Sequence, residues 1–218
     1  MRSTAPAVKM CGLTRRDDAL TAAKAGARYV GAVLARGGKR TVTARAAAEI
    51  FAELPVQKVG VFVDADEREA VTAAECIGLD VLQLHGDEDL QTVLAIRDAG
   101  PWRIWKAVRP RTESDFERAV GTFGPYVDGV LVDGWSPDAP GGTGSKFQWD
   151  SIARQRELIP AGVLLIVAGG LNSSNVLRAI QTLTPDVVDV SSGVESSAGV
   201  KDAGAMRAFL AAANSNQS

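Results

Sequence analysis

Three short segments of this sequence carry reactive or anion-binding residue types directly after an apolar run. The first contains the thiol of Cys11, and the two late segments contain Gly169-Gly170 and Ser192-Gly193. A helical pattern follows each segment, so each is predicted to be a loop that joins a strand to a helix. Such loops share one rim of an α/β barrel, where active sites lie. This combination indicates an enzyme that acts on a small phosphorylated substrate.

Cys11 is expected to stand at the carboxyl end of the first strand, with its side chain in the mouth of the barrel. A lone cysteine is most often a buried, inert thiol. The adjacent Gly12 and the start of a helix favour another role, because such a setting lowers a thiol pKa from about 8.5 toward neutrality. We therefore expect Cys11 to act as a general base or a nucleophile.

Asp133 ends the apolar run from Gly129 to Val132. A carboxylate at this point either caps the next loop or takes part in chemistry, and opposite a thiol it is the natural proton donor. To donate near pH 7 its pKa must rise by roughly three units from about 3.9, equivalent to about 4 kcal/mol. Partial burial and the anionic groups of the substrate are expected to cause that rise.

The two glycine-rich loops are weak signals when taken one at a time, because turns commonly need glycine. Their position after the seventh and eighth predicted strands is more informative, since these two loops frequently form the phosphate site of a barrel. Gly169 lies in the same site, and the backbone N–H groups of Gly170, Ser192 and Gly193 are expected to converge on a phosphate dianion.

Two further polar side chains are predicted to lie on the same rim. Arg40 follows the second strand and is either a solvated surface charge or, if its loop folds over the mouth, a partner for a substrate carboxylate. His85 is the single histidine of the chain and follows the fourth strand. It either faces the site or satisfies a hydrogen bond within its loop.

The elements that must position these residues alternate along the 218-residue chain. Apolar, β-branched runs predict strands at Ala7–Met10, Tyr29–Val33, Lys58–Val63, Val81–Leu84, Ile104–Val108, Gly129–Val132, Leu164–Ala168 and Val187–Val190. Helical patterns lie at Arg16–Ala25, Ala44–Glu53, Glu67–Ile77, Asp89–Ala99, Glu113–Val120, Trp149–Glu157, Ser173–Leu183 and Ala203–Ala213. This alternation predicts a single-domain α/β fold, the (β/α)8 TIM barrel, with an open doubly wound sheet as the alternative.

Capping signals support these helices. Thr43 is predicted to cap the second helix and Ser173 the seventh, while Gly26 and Gly78 follow the ends of the first and third. The fifth helix is expected to be short and weakly patterned. The long connection from Asp133 to Lys146 is predicted to be either a functional lid or an irregular linker.

Composition and charge limit the classes of partner that we expect for this chain. A formal net charge of −2 with scattered basic residues gives no reason to expect nucleic acid or an anionic membrane. We expect neither a membrane span, because no apolar run reaches about 18 residues, nor a secretory signal, because no apolar stretch follows Met1 to Ala7. Cys11 and Cys76 are too few for a disulfide scaffold or a metal cluster, and Cys76 is expected to pack as a small apolar residue. We expect a reduced, cytoplasmic setting, with flexible tails at residues 1–6 and 214–218.

Six segments spread along nearly the whole chain resemble the phosphoribosylanthranilate isomerase family. They are Lys9–Thr14, Lys58–Val63, Gln83–Gly86, Gly141–Gly144 with Phe147 and Trp149, Ala168–Asn172 and Val188–Glu195. Their order and spacing make a chance match improbable. The resemblance implies an Amadori rearrangement in tryptophan biosynthesis, in which an N-(5-phosphoribosyl)anthranilate becomes a 1-amino-1-deoxyribulose phosphate without a cofactor or metal.

The resemblance also implies roles for individual residues. Cys11 matches the general base that removes the ribose C2 proton, and Asp133 matches the general acid that protonates the furanose ring oxygen. Asp189 would lie near the ribose or the amine nitrogen, and the late glycine loops match the phosphate site. His85 is a family feature to which the resemblance assigns no role.

Arg40 falls at the family position that pairs with the anthranilate carboxylate. The loop after the second strand departs from the family's commoner wording, however, so Arg36 competes for this role. Two other functions stay open at this point. One is the sister isomerase of histidine biosynthesis, which uses an aspartate where this chain has Cys11, and the other is a non-catalytic barrel that binds a phosphorylated ligand. The sequence leaves open whether the chain is a monomer or a dimer.

Overall fold

The computed structural model describes residues 5–133 and 149–215, which form a closed barrel of eight parallel strands. The strands are β1 (Ala7–Met10), β2 (Tyr29–Val33), β3 (Gln57–Phe62), β4 (Val81–Leu84), β5 (Arg103–Val108), β6 (Gly129–Val132), β7 (Leu164–Val167) and β8 (Val187–Val190). Each strand pairs with the next, and β8 closes on β1 with Lys9 opposite Asp189. The predicted barrel is confirmed, and the open sheet is excluded.

Helices alternate with the strands as expected. They are α1 (Arg16–Ala25), α2 (Ala44–Phe51), α3 (Glu67–Ile77), α4 (Leu90–Asp98), α5 (Glu113–Phe123), α6 (Trp149–Arg154), α7 (Val176–Leu183) and α8 (Ala203–Asn214). A short antiparallel pair that the sequence did not predict, β9 (Glu195–Ser197) and β10 (Val200–Lys201), precedes α8. Of the helices in the described ranges, none combines the length and apolar character that a membrane span requires.

Three of the predicted caps are confirmed. The Thr43 side chain accepts a hydrogen bond from the backbone N–H of Ala46 at the start of α2. Gly26 and Gly78 end α1 and α3 in the left-handed conformation, with φ of 103° and 68°. A side chain at either position would be strained, which explains why glycine stops these helices.

Predictions for two helices were wrong. Ser173 does not cap α7, because the amide side chain of Asn175 accepts from the backbone of Asn172 and holds residues 172–175 in a turn that delays the helix to Val176. The fifth helix is not short. A reciprocal capping box between Thr112 and Asp115 stabilises the first turn of an 11-residue α5.

The expectation for Cys76 was wrong. Cys76 does not pack in the core; it lies exposed on α3 as a free thiol, because the buried face of that helix is formed by other residues.

Most of the predicted long connection, including Gly141–Gly144 and Phe147, lies outside the described residues. So do residues 1–4 and 216–218 of the predicted tails, whereas Asn214 ends α8.

Alternation along the strands separates the barrel interior from the layer between strands and helices. The lower interior is apolar, and its buried residues include Tyr29, Val59, Val81, Trp105, Leu131, Ile166 and Val187. Trp105 packs edge-on against Tyr29, with 5.0 Å between the ring centroids. Two residues further along β1, β4 and β8, the inward positions become polar. The fold therefore places an apolar plug directly below a polar barrel mouth.

At the opposite end of the barrel, an aspartate directly precedes three alternate strands. The carboxylates of Asp80, Asp128 and Asp186 accept backbone N–H groups from the neighbouring strands β3, β5 and β7 at 2.7–2.8 Å. Each carboxylate satisfies a donor at a point where the regular strand pairing begins. These contacts hold the lower rim together, far from the mouth.

We expect Asp128→Ala to lower the free energy of unfolding by about 1–3 kcal/mol, because the backbone N–H of Ile104 loses its acceptor. Reversible urea denaturation measures this change. Asp98→Ala, at an exposed position on α4, is the control and should alter stability by less than about 0.5 kcal/mol. Equal stability of the two variants would contradict the role given to Asp128.

Candidate active site

A cavity of about 340 Å³ opens where the strands end at the upper rim. It brings together most of the predicted site residues, and its wall includes Cys11, His85, Asp133, Gly169, Gly170, Asp189 and Ser192. Arg40 and Gly193 do not line it. Within residues 5–133 and 149–215, no group of three or more histidine, cysteine or acidic side chains is placed to hold a metal ion.

Two glycines near Cys11 leave room for the side chains around it. Gly12 has a left-handed φ of 69°, and a Cβ atom there would lie 2.6 Å from Arg40 Cδ. A Cβ atom at Gly31 would lie 3.1 Å from both Cys11 Sγ and Lys9 Cε. Because both atoms lie this close to the same point, Cys11 Sγ and Lys9 Cε are close neighbours. Gly12 therefore leaves room for Arg40, and Gly31 leaves room for the thiol and for Lys9.

The expectation that the pKa of Cys11 is lowered was wrong. Burial raises the pKa of the Cys11 thiol, and the opposing positive charge of Lys9 does not overcome this effect. The side chain is only 8% exposed, and α1 begins five residues further along the chain at Arg16. The resting site therefore holds Cys11 as a neutral thiol.

A buried ion pair lies directly beneath this thiol. Lys9 Nζ is 2.7 Å from Asp189 Oδ2, and the two side chains are 0% and 7% exposed. Burial alone would lower the pKa of Lys9, but the negative charge of Asp189 raises it, so the lysine stays charged. Asp189 Oδ1 has no hydrogen-bond partner among the described residues, and Asp189 lines the cavity. It can accept an N–H or O–H group of a ligand.

Asp133 is held by His85 and by an arginine that the sequence analysis missed. His85 Nε2 lies 2.9 Å from Asp133 Oδ2. Arg109, which follows β5, has its Nε 3.7 Å from the same oxygen and donates to the His85 carbonyl. The signal for Arg109 was its place directly after an apolar strand, the same signal that identified Asp133.

The expectation that the pKa of Asp133 is raised was also wrong. The hydrogen bond from His85 lowers the pKa of Asp133, burial opposes this change, and the charge of Arg109 adds to the lowering. The partners stabilise the carboxylate more than burial destabilises it. The resting site therefore contains a thiol and a carboxylate, the reverse of the ionisation that a thiolate base and a carboxylic acid require.

Arg40 is already paired with a carboxylate of the protein. Its Nε and Nη2 donate to the two oxygens of Glu195 at 2.7 Å each, and Lys201 Nζ lies 2.8 Å from the same carboxylate. Burial would raise the pKa of Glu195, but the hydrogen bonds from Arg40 and Lys201 lower it to about 2. Arg40 is thus fixed beside Gly12 at the edge of the mouth, one edge of its guanidinium being used by Glu195.

Arg36 lies elsewhere. It is exposed and lines a separate cavity of about 510 Å³ with Asp64 and Glu69. The structure therefore separates the two arginines that the sequence left as alternatives. Arg40 stands next to Cys11 and Arg36 does not.

The late glycine loops divide into two roles. Gly169 and Gly170 have positive φ angles of 91° and 63° and line the cavity together with Ser192. Gly193 has a packing role instead, because a Cβ atom there would lie 1.9 Å from the carbonyl oxygen of Leu171. This close approach presses the eighth loop onto the seventh. The phosphate site predicted from these loops thus keeps three of its residues on the cavity wall.

Several known proteins are similar to this chain in sequence and in fold. Residues 8–212 match the family model of N-(5'-phosphoribosyl)anthranilate (PRA) isomerase. An isomerase of that name from Pseudomonas putida strain F1 is 43% identical over 209 residues, which cover 94% of this chain and 95% of the relative. The phosphoribosyl anthranilate isomerase of Thermotoga maritima superposes with a TM-score of 0.84 at 36% identity, covering 95% and 98% of the two chains.

A further solved structure is a complex with a ligand. It is phosphoribosyl anthranilate isomerase bound to reduced 1-(o-carboxyphenylamino)-1-deoxyribulose 5-phosphate. It superposes on this chain with a TM-score of 0.83 at 34% identity, covering 95% of this chain and 98% of that one.

Proposed function

The chain belongs to the N-(5'-phosphoribosyl)anthranilate isomerase family, and from this premise we propose how its cavity carries out the reaction. The protein is an isomerase of tryptophan biosynthesis. Its substrate is N-(5-phosphoribosyl)anthranilate and its product 1-(2-carboxyphenylamino)-1-deoxyribulose 5-phosphate. Asp133 acts as the general acid and Cys11 as the general base.

The reaction divides into two proton transfers and a tautomerisation. Asp133 gives a proton to the furanose ring oxygen, the bond from that oxygen to C1 breaks, and an iminium ion forms. The thiolate of Cys11 then removes the C2 proton and leaves an enolamine. Movement of a proton from the C2 hydroxyl to C1 yields the ketone. Each of the two side chains transfers one proton per turnover.

The observation that carries this proposal is the position of both groups on one cavity wall with the late loops. Cys11 follows β1 and Asp133 follows β6, which lies three strands away around the closed barrel. They therefore approach a bound sugar from different sides. Gly169, Gly170 and Ser192 lie between these two strands, where they can anchor the 5'-phosphate.

Binding of the rest of the substrate uses groups that the protein leaves available. Asp189 Oδ1 is buried in the cavity wall without a partner among the described residues, which supports a contact to a ribose hydroxyl or to the amine nitrogen. Arg40 is held by Glu195 through Nε and Nη2, so its Nη1 edge remains for the anthranilate carboxylate. Pairing with Glu195 fixes the guanidinium before the substrate arrives.

Arg40→Ala is expected to raise KM about tenfold to a hundredfold, because a charge-assisted hydrogen bond contributes about 1.5–3 kcal/mol to binding. Steady-state kinetics with the anthranilate substrate measures the change. Arg36→Ala is the matched control and should leave KM within about twofold of the wild type. A rise in KM confined to the Arg36 variant would reverse this assignment.

A paired assay of the purified protein tests the proposed function. The fluorescence of freshly made phosphoribosyl anthranilate should disappear with the enzyme, while the aminoaldose of histidine biosynthesis should not be converted. Turnover of the second substrate alone would assign the chain to the sister reaction. Binding of phosphorylated ligands without turnover of either one would favour the non-catalytic alternative.

The two cysteines support a cytoplasmic location. Cys11 and Cys76 are both free thiols. Free thiols persist in reducing compartments, and a base that must cycle between thiol and thiolate needs such a setting.

A further inference from the structure

A line of three side chains runs from the barrel interior to the cavity wall. Gln83 is 1% exposed, and its Nε2 lies 2.7 Å from His85 Nδ1. His85 Nε2 in turn lies 2.9 Å from Asp133 Oδ2. With the amide nitrogen of Gln83 facing Nδ1, Nδ1 is the acceptor, and this arrangement favours the neutral tautomer that carries its proton on Nε2. That proton points at Asp133.

Gln83 can also serve a second state of the imidazole. Its Oε1 is buried and has no hydrogen-bond partner among the described residues. A half-turn of the amide would bring Oε1 to Nδ1, where it would accept a hydrogen bond from a protonated nitrogen. The same side chain therefore supports both the neutral imidazole and the imidazolium ion, and His85 can change its protonation in place.

The proposed ring opening needs a proton on Asp133, but the resting site holds Asp133 as a carboxylate. His85 lowers the pKa of Asp133, and burial raises the pKa of Cys11. As a class, carboxylic acids keep a proton only to about pH 4 and imidazoles to about pH 6.5. His85 is in direct hydrogen-bond contact with Asp133, so it can take up a proton released by the thiol and pass it to the carboxylate.

We propose that His85, supported by Gln83, is the proton reserve of Asp133 and is a positioning residue for the isomerisation. The inference rests on the proposed role of Asp133 as the general acid. The imidazolium form passes its Nε2 proton to Asp133 as the ring opens.

Each turnover then balances. The N–H bond of the imidazolium breaks, a new O–H bond forms on Asp133, and the Asp133 proton passes to the ring oxygen. The thiolate of Cys11 takes one proton from C2. The site ends with a neutral thiol, a neutral imidazole and a carboxylate. Exchange with solvent at the open cavity returns a proton to His85 and removes one from Cys11.

The charged groups around His85 come from several strands. Arg109, after β5, disfavours the imidazolium, and Asp133, after β6, favours it. Among the described residues, other charged or titratable groups of this rim or of the same cavity wall include Asp64, Glu88, Lys106, Cys11 and Asp189. Glu88 and Lys106 form a buried ion pair of 2.9 Å beneath Gly86, so their charges largely cancel.

His85→Gln tests the reserve, because glutamine keeps an N–H donor for Asp133 but cannot ionise. We expect kcat to fall about a hundredfold or more while KM stays within about threefold. The acid side of the profile of kcat/KM against pH should also extend to lower pH. In the wild type, activity falls at low pH as the site gains an extra proton, which gives an imidazolium together with a neutral thiol. The variant has no imidazole and cannot form this inactive state.

Gln83→Leu provides a second variant that keeps the histidine. Without an acceptor for the Nδ1 proton the imidazolium is disfavoured, so the acid side of the profile should again move to lower pH, with a smaller loss of kcat of about tenfold. Both variants are measured with the same substrate, so titration of its phosphate is common to all profiles. Unchanged profiles in both variants would show that His85 has a purely structural role.

Nitrogen-15 labelling of histidine gives a readout that does not depend on activity, because the chain has a single histidine. The neutral form should be protonated at Nε2, and its signals should shift in Asp133→Asn. Protonation at Nδ1, or no response to Asp133→Asn, would overturn the inference. An inactive wild-type protein would contradict the proposed function, whereas an active wild type with an unchanged His85→Gln variant contradicts the proton reserve alone.

Discussion

Cys11→Ala should lower kcat/KM by at least about a thousandfold, because it removes the atom that we propose takes the C2 proton. The substitution deletes one sulfur atom at the open end of the barrel, so the fold should persist. The loss should appear in kcat, since substrate binding depends on other groups of the cavity wall. Loss of substrate fluorescence measures the rate, and circular dichroism confirms the fold.

Cys11→Ser separates ionisation from shape. Serine has nearly the size of cysteine, but its alcohol ionises far less readily than a thiol, so the loss of activity should approach that of the alanine variant. Both variants should bind a non-reactive phosphorylated analogue within about threefold of the wild type. Wild-type-like turnover in either variant would remove Cys11 from the mechanism.

The raised pKa of Cys11 and the lowered pKa of Asp133 also determine the pH dependence. The reactive form, with a thiolate and one proton on the acid side of the site, contains as many protons as the resting form. The ratio of the reactive form to the resting form therefore does not change with pH. Activity should be lost on the alkaline side as the thiol of Cys11 ionises without a proton elsewhere. In Cys11→Ser any residual activity should not show this alkaline loss.

Asp133→Asn should lower kcat by about a thousandfold, because an amide cannot give a proton to the ring oxygen. The change is nearly isosteric, and the amide oxygen of the variant can still accept the hydrogen bond from His85 Nε2 that the carboxylate accepts. Binding of the same phosphorylated analogue should therefore stay within about threefold. Single-turnover fluorescence separates the chemical step from substrate binding.

Asp128→Asn is the matched control for this variant. It makes the same chemical change in the aspartate that precedes β6, at the end of the strand opposite to Asp133. We expect a less stable enzyme with wild-type kcat. Equal losses of kcat in the two variants would show that the effect of Asp133→Asn comes from damage to the fold, and normal turnover in Asp133→Asn would exclude the proposed acid.

The sequence was sufficient to predict that Cys11, His85 and Asp133 meet at the barrel mouth. Cys11, His85 and Asp133 each follow an apolar run, and parallel strands bring such positions to one rim whatever lies between them. Five of the eight strand ranges agree with the structure at both ends, because burial on both faces makes these runs continuous and easy to delimit.

Ionisation states were not predictable, because they depend on partners from distant parts of the chain. Lys9 lies within an apolar run, and its partner Asp189 follows 180 residues later. Arg40 and Glu195 are 155 residues apart. Periodicity and spacing describe neighbours along the chain, whereas the desolvation of Cys11 and the pairing of Arg40 arise only after the barrel closes.

The pair formed by Lys9 and Asp189 joins the first strand to the last one, so its two halves leave the ribosome almost a whole chain apart. A nascent polypeptide that has not yet reached β8 has neither the carboxylate beneath the sulfur nor the eighth loop, which contributes Ser192 to the cavity wall. Chain truncations ahead of β8 should therefore yield no partial activity at all. The site therefore becomes complete, and the enzyme active, only once β8 and the loop after it have been synthesised.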